Sequence, residues 1–113
     1  MLDVAKLDRF FSLHKQECLL CGANQQEFAA LETGFMFAIC HACGHKISVR
    51  IETIRAIAFS DDAVKALKVL SVDKSLPITF RAGCDSVLSL ARLYREFFAV
   101  TPARETALPA QEL

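Results

Sequence analysis

Two pairs of cysteines constrain this chain more than any other feature. Cys18-Leu19-Leu20-Cys21 is followed by Gly22, and Cys40-His41-Ala42-Cys43 by Gly44, with seventeen residues between Gly22 and Cys40. Two intervening residues let both sulfurs of a pair reach one ion. A glycine after each pair allows backbone angles that a side chain opposes. Doubled knuckles at this separation predict one structural Zn2+ held tetrahedrally by Cys18, Cys21, Cys40 and Cys43. Such an ion reinforces a small core, because its binding free energy is also folding free energy. The alternatives are two disulfides or four unconnected thiols. His41 and His45 are candidate replacement ligands, but the intact pairs favour solvent-facing or supporting roles for both. Four thiolates close the coordination shell, so no catalysis is expected at this metal.

The segment CLLCGANQQEFAALETGFMFAICHACGHKI, residues 18–47, resembles the N-terminal zinc-binding domain of the ClpX unfoldase. The shared features are the CxxCG knuckle, the polar Asn24-Gln25-Gln26 stretch, an apolar strand, a turn, and Ile39-Cys40 opening the second knuckle. The family's four ligand positions fall on the four cysteines of the pairs. The resemblance implies a treble-clef finger, a β-hairpin followed by a helix, that self-associates and docks protein partners. His41 and Gly44 stand where that family usually carries acidic or apolar residues. No GxxxxGK[ST] phosphate loop occurs in the chain, so the unfoldase activity is not expected of it.

With 113 residues the chain has room for one domain, or a zinc module with a small helical extension. Nine Phe and an apolar half suggest surface that a partner covers. Thirteen basic residues balance thirteen acidic ones, which makes a poor non-specific nucleic-acid binder. The opening residues lack the basic-then-apolar pattern of a secretory signal, and five cysteines with metal-like spacing suit a reducing compartment, so the cytoplasm is the expected location.

Along the chain, periodicity predicts an N-terminal helix within 1–16, the finger and its following helix over 17–59 and a helical extension over 60–100, and a shift to prolines with little to bury predicts a disordered tail over 101–113. Asp3 can cap the first helix, on which Leu7, Phe10, Phe11 and His14 recur at helical spacing. This helix either packs on the finger or forms a partner-facing arm. Glu27–Leu31 and Phe35–Ile39 should pair as a hairpin turning at Glu32-Thr33-Gly34, with Phe35 and Phe37 on one face and Met36 and Ala38 on the other. Phe35, Met36 and Phe37 are therefore the candidate partner-binding residues. The second knuckle should lead into a helix through about Phe59, although β-branched Val49, Ile51 and Thr53 weaken its middle. Ser60 with Asp61 and Asp62 marks a helix start. Leu76–Phe80 should be extended around Pro77, and Arg81-Ala82-Gly83 a turn before a last helix from about Cys84 to Ala99. Cys84 at that helix start would be either a reactive thiol or a small packed residue.

The expected fold is α+β: an N-terminal helix, a treble-clef-like four-cysteine finger and two further C-terminal helices. The expected function is a zinc-stabilised protein-interaction module, self-associating as a homodimer. Such a module would serve as an adaptor, regulator or inhibitor of a larger machine, with no catalytic role. The rival is a nucleic-acid-binding zinc-ribbon regulator that uses Lys46, Arg50 and Arg55.

Overall fold

A computed structural model describes residues 2–100; the expected tail at 101–113 lies outside them. The chain is α+β. Helix α1 (Val4–Ser12) is followed by a four-stranded antiparallel sheet in the order β1 (Lys15–Gln16), β2 (Gln26–Ala30), β3 (Phe35–Cys40) and β4 (Lys46–Arg50). Three helices close the structure: α2 (Ile51–Ala58), α3 (Asp61–Val72) and α4 (Ile78–Val100).

The helix caps follow from side-chain chemistry. Asp3 accepts the Lys6 N–H at 3.2 Å, and Ser60 accepts the Ala63 N–H at 3.2 Å. Each satisfies a donor that the first turn of its helix leaves unpaired. Asp61 and Asp62 then sit in the first turn of α3, where the helix dipole favours negative charge. The β2–β3 hairpin turns where expected, because Gly34 adopts φ +98° and Leu31 donates its N–H to Phe35 O at 2.8 Å.

Two expected elements differ. The second knuckle leads into strand β4, and the helix begins only at Ile51. Ile47 and Val49 are β-branched and two residues apart, so they point to the same side when extended. Pairing with β3, with Met36 opposite Val49 and Ala38 opposite Ile47, selects that extended form over helix. A helix would have needed the same apolar residues at its own period, which Ile47, Ile51 and Ile54 also satisfy. Both knuckles therefore sit at bends between strands, unlike a treble clef, in which the second ligand pair opens a helix.

The second difference lies in α4. It starts at Ile78, so Leu76–Phe80 is not a strand and Arg81-Ala82-Gly83 is not a turn. Pro77 precedes the first helical residue, where a missing N–H costs nothing, and its carbonyl accepts the Arg81 N–H at 3.0 Å. Gly83 lies inside the helix, where it faces β4. A Cβ there would stand 3.5 Å from Ile47 Cδ1.

One core joins the whole. Leu7 and Phe11 of α1 meet Phe28, Ala30, Met36 and Ala38 from the inner face of the sheet, Ile54 and Ala58 of α2, and Leu90, Ala91, Leu93, Tyr94 and Phe97 of α4. Helix α1 is thus part of the core rather than an arm, and Phe10 packs edge-on against Phe97 with centroids 5.6 Å apart. Helix α4 touches α1, α2, α3 and strands β3 and β4, whereas α3 packs chiefly on α4. Along β3 the residues alternate, with Met36, Ala38 and Cys40 buried and Phe35, Phe37 and Ile39 half-buried on the outer face.

Candidate metal centre

The two knuckles are built alike. Cys18 donates its N–H to Ala23 O at 2.9 Å, and Cys40 donates to His45 O at 2.8 Å. Gly22 closes on Cys18 O at 2.7 Å, and Gly44 on Cys40 O at 2.8 Å. Gly22 and Gly44 both need the left-handed region, with φ of +80° and +83°. The loops also hold each other, since His41 N–H donates to Gln25 O at 3.0 Å. Antiparallel pairing of β2 with β3 puts Gln26 opposite Cys40 and so brings the knuckles to the same end of the sheet.

Four sulfurs converge there, all within 4.8 Å of one another. Across the knuckles, Cys18 Sγ lies 3.8 Å from Cys43 Sγ and Cys21 Sγ lies 3.6 Å from Cys40 Sγ. A tetrahedron with metal–sulfur bonds of about 2.3 Å has edges of about 3.8 Å. Both of these separations match that edge, so the cluster suits one ion after the widest pair closes by about 1 Å, and Cys18, Cys21, Cys40 and Cys43 would hold it. When bound, the ion supplies cross-linking of the two loops. The first cysteine of each knuckle is buried and the second exposed, so the site is anchored in the fold on one side.

Backbone donors complete the surroundings. The Ala23 N–H serves Cys21, those of Cys43 and Ala42 serve Cys40, and that of His45 serves Cys43. In the metal-free cluster these donors and the neighbouring sulfurs divide the thiols. The Ala23 N–H favours the Cys21 thiolate, but desolvation and the three other sulfurs push this thiol up to about 12. Desolvation opposes ionisation of Cys40, yet two backbone donors and its sulfur neighbours bring it down to about 7. Cys43 is raised: its His45 donor is outweighed by desolvation and by Cys40 and Cys18.

A pH dependence follows, with its sign fixed. Metal binding needs thiolates, and cysteine thiols with their ordinary pKa of about 8.5 are mostly protonated near neutrality, so binding four of them releases two or more protons. Apparent affinity for Zn2+ should fall by about 100-fold or more for each unit of pH lowered between 8 and 6. Competition against a chelating dye at each pH measures this. A flat profile would mean that the thiols are not the ligands.

Neither histidine of the second knuckle joins the sulfur cluster. His41 is exposed, and its Nε2 lies 2.9 Å from Glu27 Oε1, while Lys15 holds the other oxygen of Glu27 at 3.4 Å. His45 contributes backbone groups to the knuckle, and its buried Nε2 has no hydrogen-bond partner. The fifth cysteine is also elsewhere. Cys84 lies within α4 rather than at its start, and burial pushes its thiol up, which removes the reason to regard it as reactive.

Sequence reasoning missed the polar residues that tie the knuckles to α4. Gln16 donates to Ser89 Oγ at 2.6 Å, and Ser86 donates to buried Gln26 Oε1 at 2.6 Å. The available signal was a set of serines, Ser86 and Ser89, on the otherwise apolar face of the last helix.

The candidate partner residues separate. Met36 is fully buried in the core, which removes it from any docking surface. Phe35 and Phe37 remain on the outer face of the sheet. Of the candidate basic residues, Lys46 and Arg50 also lie on that face, at opposite ends of β4. Arg55 is on α2, where its charge acts on the Tyr94 phenol, and shares with Arg50, Thr33 and Gly34 a shallow depression of about 400 Å³. Among the described residues no helix is long and apolar enough to cross a membrane. Comparison of the chain with protein-family models, curated proteins and solved structures finds no match.

Proposed function

We propose that this chain is a zinc-stabilised protein-interaction module of the reducing cytoplasm, without catalytic activity of its own, that self-associates as a homodimer. It acts as a small adaptor, regulator or inhibitor of a larger protein machine. Zinc is the ion assigned to the four thiolates, because a closed tetrahedral sulfur shell suits a redox-inert structural ion. The likeness of residues 18–47 to the ClpX zinc-binding domain supports both the finger and its self-association, even though the second knuckle runs into a strand.

The observation that carries the reading is the apolar surface at the α3–α4 end of the molecule. Val69, Val72, Ile78 and Phe80 are all exposed there, Val72 at 69 % and Phe80 at 50 %. The five-residue connection between the two helices keeps the end of α3 and the start of α4 together. Val69 and Val72 stand one helical turn apart on the exposed side of α3, and exposed apolar residues sharing a face mark a surface that a protein covers. This surface replaces Met36 as the docking element.

Light scattering on the zinc-loaded protein tests the proposal. The expected mass is twice the 12.5 kDa of the chain. The double substitution Val72→Asp, Phe80→Asp should give a monomer with the circular dichroism of the parent. A parent that is monomeric at all concentrations, or a variant that remains dimeric, would overturn the reading.

A further inference from the structure

The outer face of the sheet carries a pattern that the protein-interaction reading does not use. Its outward residues include Phe35, Phe37 and Ile39 on β3 and Lys46, Ser48 and Arg50 on β4. Lys15 and Glu27 face the same way from the neighbouring strands. The register sets Arg50 opposite Phe35 and Ser48 opposite Phe37. The cations lie over the rings, with Lys46 Nζ 4.4 Å from the Phe37 centroid and Arg50 Cζ 5.4 Å from that of Phe35.

We propose that this face binds single-stranded nucleic acid, with bases stacking on Phe35 and Phe37 and phosphates met by Lys46, Arg50 and Lys15. Three cations stand on the face against one acid, and that acid, Glu27, is already engaged by Lys15 and His41. The face therefore favours a polyanion although the chain as a whole is neutral. Aromatic rings two residues apart on one strand, about 7 Å along it, make successive platforms for unpaired bases.

Lys46 and Arg50 are exposed, flexible side chains. A cation over an exposed ring is a weak contact, weaker than a base stacked on the same ring. Incoming bases displace them from the rings, and both cations turn to the flanking phosphates. An acidic peptide would meet the cations but leave the rings unused. A duplex keeps its bases inside the stack and offers nothing to them. The site is separate from the α3–α4 surface and does not depend on the dimer.

Fluorescence anisotropy of a labelled twelve-residue oligo(dT) with the zinc-loaded protein tests this, across a salt series. Three phosphate contacts predict a log–log salt slope of about −2, since each contributes about −0.7 on a single strand. Lys46→Glu with Arg50→Glu should weaken binding at least tenfold and flatten the slope to about −0.7. Phe37→Leu keeps apolar volume but removes the ring; it should weaken binding about fivefold or more and leave the slope unchanged. The Val72→Asp, Phe80→Asp variant should bind as the parent does, which separates this site from the dimer surface. The proposal is overturned by absence of saturable binding at 50 mM salt, by unchanged affinity in either outer-face variant, or by a duplex or polyglutamate competing as well as oligo(dT).

Discussion

Cys40→Ser should abolish the cooperative melting transition and leave less than one-tenth of an equivalent of metal on the protein. Cys40 is fully buried, ends strand β3 and lies opposite Gln26 in the hairpin. Its loss leaves three ligands and opens the tie between the two knuckles. Structural zinc contributes about 10–16 kcal/mol in small finger peptides, which equals or exceeds the 5–15 kcal/mol by which ordinary domains are stable. The fold should not survive that loss, because α1, the sheet, α2 and α4 share a single core and have no separate interiors to fall back on. Stripping the ion with a strong chelator should give the same unfolded spectrum in the parent. Cys84→Ser is the control. That thiol stands on α4 outside the sulfur cluster, so the variant should keep its metal. Circular dichroism melts with metal analysis on both variants check the pair.

The second large effect concerns Met36. Its side chain is fully buried between the sheet and the helices, so Met36→Ala leaves a cavity and should destabilise the protein by about 2–5 kcal/mol. For a domain of this size that lowers the melting temperature by at least about 10 °C. Metal content should remain at one ion, because no ligand is touched. Phe37→Leu, one residue along on the half-buried outer face, should cost less than half as much. If Met36→Ala melted like the parent, the strand would present its other face to the core, and the assignment of inner and outer residues would be reversed.

The knuckles were legible because their information is covalent: two residues between cysteines and a glycine after each pair specify a loop whatever surrounds it. Asp3 and Ser60 were legible for the same local reason, since a cap needs only its own helix turn. The Phe35–Cys40 strand was legible as an alternation, but alternation says that two faces exist without saying which one is buried. That choice is made by α1 and α4, which are distant in sequence, and it puts Met36 inside.

Strand β4 was hidden because Ile47, Val49, Ile51 and Ile54 satisfy a strand period over their first half and a helix period over their second. Pairing with β3 decides between them. The start of α4 was hidden by Pro77 and Gly83, both ordinarily breakers. Pro77 stands where a helix tolerates proline, and Gly83 stands inside the helix, packed towards Ile47 of β4. In each case the deciding contact is long-range.

Four sulfurs closing around one ion tie the two knuckles together, and X-ray absorption at the zinc edge tests that directly on protein purified without added metal. It should show one zinc per chain with four sulfur neighbours at about 2.3 Å and no nitrogen or oxygen in the shell. A protein that carries no metal yet melts cooperatively, or a spectrum with fewer than four sulfurs, would contradict it.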